Sequence, residues 1–220
     1  MPYKNRTRLH NELTELCLLE VHVASIIGYG EDALTLWLLQ KHPSRLLGQT
    51  YSKEHTRIYY RPSFGRGAHG YGEFDFIVLT KSKILLGECK WQESAEFDDG
   101  TVTLSEAQTE RHRLFEDIYL KLENSKMRGG SLDASLAEYL ELKPGQTLFE
   151  NVKLVFESAI SNGLRLEHRI VAFVPDSDIA NVERELSVRW YGNKGMSNPC
   201  KGILCPYKPL ENAERFLEIT

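Results

Sequence analysis

The stretch GEFDFIVLTKSKILLGECKW, from Gly72 to Trp91, constrains the fold more than any other part of the chain. It contains two apolar runs, FIVLT and KILLG, on either side of a short polar turn at Lys81 and Ser82. Apolar runs of this length around a tight turn are typical of an antiparallel β-hairpin. The chain is therefore expected to build its core around a β-sheet that contains this hairpin.

The position of the turn sets which residues face each other across the hairpin. If the turn is centred between residues 81 and 82, Asp75 lies opposite Glu88, with α-carbons about 4.5–5.5 Å apart. Side chains alternate between the two faces of a strand, so Lys90 projects from the same face as Glu88. The other face is predicted to pack in the core and carries Phe74, Phe76, Val78, Leu85, Gly87, Cys89 and Trp91.

Two carboxylates that face each other on a half-buried sheet repel, and a bound cation or a shared proton relieves the repulsion. Mg²⁺ prefers oxygen ligands, often with several waters and a substrate phosphate. A nearby lysine such as Lys90 can orient or deprotonate the attacking water, or stabilise the charge that develops on phosphorus. Asp75, Glu88 and Lys90 together predict metal-dependent hydrolysis of a phosphodiester.

The rest of the chain predicts a single α/β domain over residues 1–220, since no linker divides it and its length suits one core. The predicted helices are residues 6–27, 31–42, 105–123 and 176–190, and the further predicted strands are residues 57–62, 151–160 and 164–175. The strands and helix of residues 151–190 are expected to complete the sheet. Residues 191–220 are expected to be an irregular tail.

Composition limits the classes of partner and compartment. The formal net charge of −4 gives no overall attraction to polyanions. No run of about 18 apolar residues is present and no signal peptide is recognisable, so a cytoplasmic protein without a membrane span is expected. The four cysteines do not suggest a disulfide framework. Cys200 and Cys205 are spaced more widely than a close zinc-binding pair.

A basic segment supplies the local attraction to nucleic acid that the net charge lacks. Between residues 41 and 66, lysines and arginines alternate with tyrosines, which suits phosphate contacts and packing against unstacked bases. The candidate contacts are Lys53, Arg57, Arg61 and Arg66. A solvated surface loop is the alternative interpretation of the same residues.

The order of these elements resembles the PD-(D/E)xK nuclease superfamily, which includes restriction endonucleases, junction resolvases and recombination nucleases. An acidic helix is followed by a strand with Asp75, a strand with Glu88 and Lys90 in the pattern Glu-x-Lys, and then a helix. Asp75 matches the family aspartate, although GEFD replaces the literal Pro-Asp. The resemblance covers about residues 30–123. It implies a restriction-endonuclease-like mixed β-sheet core flanked by helices, with Mg²⁺ as the cofactor and Mn²⁺ as a substitute.

The resemblance also implies a further acid on the helix before the hairpin. Glu31 is the first choice, so Asp75, Glu88 and Glu31 are the expected metal ligands and, with Lys90, the expected catalytic residues. Glu20 is the alternative acid. The position of Glu31 in a first helical turn has an independent structural explanation, because a carboxylate there interacts favourably with the helix dipole.

Gln108, on the helix after the hairpin, is similar to a glutamine that some branches of the superfamily use near the site, and it is a further candidate for contact with nucleic acid. The segments GYGEDALTLWLL, HGYGEFD and LLGECKW are similar to signatures of the nuclease subunit of the Hachiman anti-phage system. That similarity implies bacterial defence and a helicase partner subunit. Cleavage of both strands of DNA would favour a homodimer.

Two other functions fit parts of the pattern. The same fold can serve as a catalytically silent nucleic-acid-binding or assembly module. Facing carboxylates about 5 Å apart also suit a retaining glycoside hydrolase, although Lys90 and the lack of a tryptophan-lined groove argue against it. The favoured interpretation is a Mg²⁺-dependent DNA endonuclease that acts in bacterial defence, restriction or repair.

Overall fold

The computed structural model describes residues 26–47, 51–64, 72–176, 186–193, 195–209 and 216–219. As the sequence predicts, these residues form an α/β fold, in which a mixed five-stranded sheet and a three-stranded sheet are flanked by helices. None of the helices in these ranges is long and apolar enough to cross a membrane.

The elements are numbered along the chain. The helices are α1 (Gly30–Lys41), α2 (Pro43–Leu47), α3 (Glu106–Met127), α4 (Leu132–Leu140) and α5 (Thr147–Ser161). The strands are β1 (Ile26–Tyr29), β2 (Arg57–Tyr60), β3 (Phe76–Leu79), β4 (Lys83–Trp91), β5 (Phe97–Asp98), β6 (Thr101–Thr103), β7 (Arg165–Pro175), β8 (Ser187–Arg189), β9 (Cys200–Tyr207) and β10 (Phe216–Ile219).

The central sheet has the strand order β2-β3-β4-β7-β9. The pairs β2–β3 and β3–β4 are antiparallel, whereas the pairs β4–β7 and β7–β9 are parallel. The β3–β4 hairpin has the predicted register, with Phe76 opposite Gly87 and Leu79 opposite Ile84. β5, β6 and β8 form the smaller sheet, and β1 pairs with β10.

Apolar side chains cover both faces of the central sheet, which is why its inner strands are buried on both sides. One face packs against α3 and α5 through residues such as Leu86, Phe115 and Phe156. The other packs against α1 through Phe76 and Leu38, among others. The predicted apolar face of the hairpin is therefore the α1 face.

Phe74 is an exception, because it packs on the α3 face with Phe115 and His112. The sequence prediction put Phe74 on the same face as Phe76 because it assumed that the strand already includes Phe74. β3 begins only at Phe76, and the bend at Asp75 interrupts the alternation of side chains. The face predicted for Phe74 was therefore wrong.

Gly87 allows Phe76 to lie directly over the strand. A Cβ atom at position 87 would lie 2.0 Å from Cζ of the Phe76 ring, which is shorter than any normal contact. The glycine that precedes Glu88 is thus required by packing at the centre of the hairpin.

Residues 151–160 were predicted to form a strand, and this prediction was wrong. They belong to α5, whose buried residues recur every three or four positions, at Phe149, Val152, Val155, Phe156 and Ala159. Short apolar runs do not distinguish strand from helix by composition alone. Residues 151–175, predicted as two strands, are instead a helix followed by β7, which inserts parallel to β4.

The C-terminal tail was predicted to be irregular, yet Cys200–Tyr207 forms β9, an edge strand of the central sheet. This strand contains Gly202 and Pro206, two residue types that are uncommon in strands. An edge position tolerates proline because one side of the strand needs no donor. Two predicted helices fall largely outside the described residues. The end of the first, residues 6–27, is described and belongs to β1. The described end of the second, residues 176–190, contains β8.

Candidate active site

Asp75, Glu88, Lys90 and Glu31 lie together at one end of the central sheet, where β3 begins and β4 ends. β3 pairs with β4 only as far as Gly87, while β4 continues alongside β7 to Trp91. Two backbone N–H groups of this extension, those of residues 89 and 91, donate to carboxylates rather than to a strand. The early departure of β3 therefore creates the space in which the acidic side chains meet.

Asp75 is positioned by the backbone of the hairpin. Its N–H donates to the carbonyl oxygen of Gly87 over 3.2 Å, and its Oδ2 accepts from the N–H of Cys89 over 2.7 Å. The pKa of Asp75 is raised from 3.8 to about 7. Burial is the main cause, and the nearby charge of Glu88 is the second.

Glu31 lies in the first turn of α1, which starts at Gly30 with a φ of 72°, a left-handed conformation that glycine adopts easily. Its Oε2 accepts from the N–H of Trp91 over 3.0 Å, and its Oε1 lies 3.9 Å from Nζ of Lys90. Burial raises the pKa of Glu31 to about 7. The charge of Lys90 partly offsets this rise, and the charge of Asp75 adds to it.

Lys90 is almost completely buried, with its side chain only 8% exposed. An ammonium group in such a place requires neighbouring negative charge. Glu31 supplies it, and the charge of Lys90 partly offsets the rise in the pKa values of Asp75 and Glu88 that burial causes. The charge of Lys90 thus stabilises the ionised form of all three carboxylates.

Glu88 is turned toward α3 and its side chain is 2% exposed. Its Oε1 accepts from Nη1 of Arg111 over 2.7 Å, and its Oε2 accepts from Nε2 of Gln108 over 3.3 Å. Nε2 of His112 lies 3.6 Å from the same Oε1 atom. Burial nevertheless raises the pKa of Glu88 to about 7, although Arg111 and Lys90 act in the opposite direction.

The donor set of Asp75, Glu88 and Glu31 consists of carboxylate oxygens, the ligands that Mg²⁺ and Mn²⁺ prefer. Raised carboxylate pKa values also indicate a place where positive charge would be favourable. Within the ranges that the structure describes, no three His, Cys, Asp or Glu side chains are grouped closely enough to hold a metal ion. The contacts of Glu88 with Arg111 and Gln108 engage both of its oxygens on the α3 side.

The predicted nucleic-acid contacts are dispersed. Arg61 follows β2 beside the site, but it pairs with Asp32 over 2.7 Å and with Glu73. Lys53 and Arg57 lie at the other end of β2, about 10 Å along the strand from the end that Arg61 follows. Arg57 is opposite Leu79, near the hairpin turn. Arg66 and the alternative acid Glu20 lie outside the described residues.

Gln108 has two functions at the start of α3. Its Oε1 accepts from the N–H of Ser105 over 3.0 Å and closes a capping box, while its Nε2 donates to Glu88. The sequence prediction brought Gln108 to the site but assigned it to nucleic acid, whereas its contact in the structure is with a candidate metal ligand.

Sequence reasoning missed Arg111 and His112, which contact Glu88 from the same helix face as Gln108. The signal was the helical spacing, since residues three and four positions after Gln108 lie next to it on the helix surface. Arg111 also donates to the carbonyl of Glu73 and packs over the Phe74 ring, with Cζ 5.6 Å from its centroid.

No family model matches the sequence, and neither a curated protein nor a solved structure matches the chain. The functional interpretation therefore depends on the residues of the site and their geometry.

Proposed function

We propose that this chain is a Mg²⁺-dependent nuclease that hydrolyses phosphodiester bonds, with DNA as the expected substrate, endonucleolytic cleavage as the expected mode and Mn²⁺ as a substitute metal. The observation that carries the proposal is the convergence of Asp75, Glu88, Glu31 and Lys90 at one end of the sheet, where burial raises the pKa of all three carboxylates to about 7. Such clusters of perturbed groups are typical of functional sites.

In this proposal Asp75, Glu88 and Glu31 would hold the metal, which requires their side chains to approach one another more closely than they do in the structure. When bound, Mg²⁺ would supply a Lewis acid that neutralises a substrate phosphate and promotes attack by water. Lys90 orients that water or stabilises the charge that develops on phosphorus. Gln108 and Arg111 hold Glu88 from α3.

The biological setting follows from the resemblance to PD-(D/E)xK nucleases and to the Hachiman nuclease subunit. It implies a cytoplasmic enzyme of bacterial defence, restriction or repair, a helicase subunit as partner, and a homodimer where both strands are cut. These parts of the proposal depend on sequence signatures and not on contacts of the site.

The test is cleavage of supercoiled and linear DNA by the purified protein with Mg²⁺, Mn²⁺ or EDTA. We expect metal-dependent cleavage that Asp75→Asn, Glu88→Gln and Lys90→Met each reduce at least a hundredfold, in the range found when one charge-stabilising group is removed from an active site. Lys121→Met and Glu157→Gln, which change exposed residues on α3 and α5, should cleave like the unmodified protein.

A catalytically silent module is the second candidate, because both oxygens of Glu88 are engaged by α3 in the structure. Folded protein that binds DNA but cleaves neither DNA nor RNA under any metal condition would favour this module. Cleavage that persists in EDTA, or in all three site variants, would contradict the proposed nuclease.

A further inference from the structure

Two histidines connect the candidate site to Glu116, which lies one turn further along α3. His112 on α3 and His168 on β7 are both completely buried, and their Nδ1 atoms lie 2.8 Å apart. Nε2 of His112 lies 3.6 Å from Glu88, and Nε2 of His168 lies 3.9 Å from Glu116. The four side chains form a buried row from Glu88 to Glu116.

Both ends of this row are fixed. At the far end, the Glu116 carboxylate accepts hydrogen bonds from the backbone N–H groups of Ser197 and Asn198 and from the Asn198 side chain. In the middle, Trp190 packs against both imidazoles, with ring centroids 5.2 and 5.4 Å away. The two rings therefore have little freedom to rotate.

The contact between the two Nδ1 atoms restricts where the protons lie. One Nδ1 must carry the proton and the other must accept it. If His168 is the donor, Nδ1 of His112 is bare and the one proton of the His112 ring is on Nε2, facing Glu88. If a neutral His112 is the donor, its bare Nε2 faces a carboxylate oxygen at 3.6 Å in a site without water contact, which is unfavourable.

The two carboxylates differ in their need for a donor. Glu116 already accepts three N–H groups, and it is the more distant of the two from its imidazole. Glu88 receives two side-chain donors and is one of three neighbouring acids. Neither Nε2 atom has a hydrogen-bond partner among the described residues, so Nε2 of His112 is free to donate to Glu88.

We propose that His112 is a positioning residue for Glu88, held in the tautomer that carries the proton on Nε2 by a hydrogen bond from Nδ1–H of His168. This inference rests on the proposed function, in which Glu88 is a metal ligand. Residues behind a metal ligand orient it, and their loss commonly costs ten- to a hundredfold in metal affinity or activity.

The tautomer is measured directly by long-range ¹H–¹⁵N NMR of the unmodified protein with labelled histidine, assigned with His112→Gln and His168→Asn spectra. We expect a protonated Nε2 and a bare Nδ1 in His112, and a protonated Nδ1 in His168. A bare Nε2 in His112 would overturn the proposal, and this measurement on the unmodified protein does not depend on metal binding or on catalysis.

The positioning role is tested by Mn²⁺ binding to four variants, measured by calorimetry. Glutamine retains a polar group near the Nε2 position of histidine and asparagine retains one near Nδ1. His112→Asn should therefore weaken Mn²⁺ binding about 10–100-fold, and His112→Gln should weaken it less. At position 168 the order reverses, because His168→Asn retains the group that faces His112 and His168→Gln does not.

Thermal unfolding of the same variants controls for packing, since all four lose a buried ring. The opposite order at the two positions is a result that a packing role would not produce. Equal losses for asparagine and glutamine at both positions would overturn the positioning role. Unmodified protein that binds no Mn²⁺ would contradict the proposed nuclease instead, and the tautomer of His112 would then decide this inference alone.

Discussion

Asp75 is held by backbone groups on three sides. It donates to Gly87, its carbonyl accepts from the N–H of Arg61 over 3.0 Å, and its carboxylate accepts from Cys89. These contacts fix an acidic side chain in a place where burial disfavours its charge. The residue therefore reduces stability when it is ionised without a nearby cation, which is a cost that proteins accept at functional sites.

The raised pKa of Asp75 predicts a pH-dependent effect of Asp75→Asn. A carboxyl group with a folded-state pKa of about 7 and an ordinary value of 3.8 destabilises the fold as pH rises between those values, because the native state binds the proton more tightly. Asparagine cannot ionise. In EDTA, the variant should therefore gain stability relative to the unmodified protein between pH 5 and pH 8. The gain should be roughly 2–3 kcal/mol, because about two of the pKa units lie in this window and each is worth about 1.4 kcal/mol.

Urea unfolding at the two pH values measures this difference. Comparison with the unmodified protein at each pH removes the contribution of the buried histidines, which both proteins share. A stability difference that stays constant from pH 5 to pH 8 would show that Asp75 is ionised throughout and that its burial has no such effect.

The site residues differ in how far the sequence predicts them. The alternation of side chains and the position of one turn were enough for the hairpin register, because both are local properties of the chain. Arg111, His112 and His168 were missed because their role depends on α3 crossing the end of β4, a long-range contact. Phe74 was placed on the wrong face because a bend at Asp75 breaks the period of two.

At the scale of elements, the start of α3 links helix stability to the site. Ser105 caps the helix by accepting from the N–H of Gln108, and Gln108 also contacts Glu88. Ser131 caps α4 in a similar way, by accepting from the N–H of Ala134, whereas the hydrogen bonds of Glu88 come from α3. The chain thus offers two caps of comparable chemistry at different distances from the site.

Ser105→Ala and Ser131→Ala should each cost about 1 kcal/mol of stability, the usual loss for a helix cap. Only Ser105→Ala should also weaken Mn²⁺ binding, because it removes the hydroxyl that hydrogen-bonds to Oε1 of Gln108 over 3.1 Å. Urea unfolding and calorimetry measure the two effects separately. Equal metal affinity in the two variants would mean that the cap and the site are independent.

Gly87→Ala should destabilise the hairpin by about 1–3 kcal/mol, since overpacking a core position costs that much and the new methyl group would overlap the Phe76 ring. Gly195→Ala is the matched control, because no heavy atom lies within 4 Å of a Cβ atom built there and its φ is not positive. The unfolding midpoint in urea measures both. Unchanged stability of Gly87→Ala would require Phe76 to move at no cost.

Element types were predicted well where the pattern is long and less well where it is short. α1 and α3 have apolar or capping signals over several turns, and both were found. α5 was taken for a strand because the segment beginning at residue 151 omits Phe149, the residue that starts its helical stripe. β9 was missed because a parallel edge strand with a glycine and a proline has almost no signal of its own.

At the scale of the whole molecule, the proposed metal site would couple metal binding to stability. Three buried carboxylates with raised pKa values place unfavourable negative charge at one end of the central sheet. A ligand that binds the folded state alone stabilises it, by about 2.7 kcal/mol at a hundred times its dissociation constant. For a chain of 220 residues, each kcal/mol corresponds to about 2–4 °C in Tm.

Saturating Mg²⁺ or Mn²⁺ at pH 8 should therefore raise the Tm of the unmodified protein by several degrees. Glu88→Gln should lose most of this gain, and Glu157→Gln, on the exposed side of α5, should keep it. Differential scanning calorimetry at constant ionic strength separates the effect from general screening by salt. A gain of the same size in Glu88→Gln would mean that the ion binds elsewhere.

The departure of β3 from β4 also affects how molecules of this protein interact with one another. Open N–H groups along a strand are a template on which strands of other molecules can add, and proteins block such edges to avoid aggregation. Here the side chains of Asp75 and Glu31 block the N–H groups of Cys89 and Trp91. Alanine at position 75 would uncover part of that edge, whereas asparagine would still cover it, so the alanine variant should be the more prone to self-association.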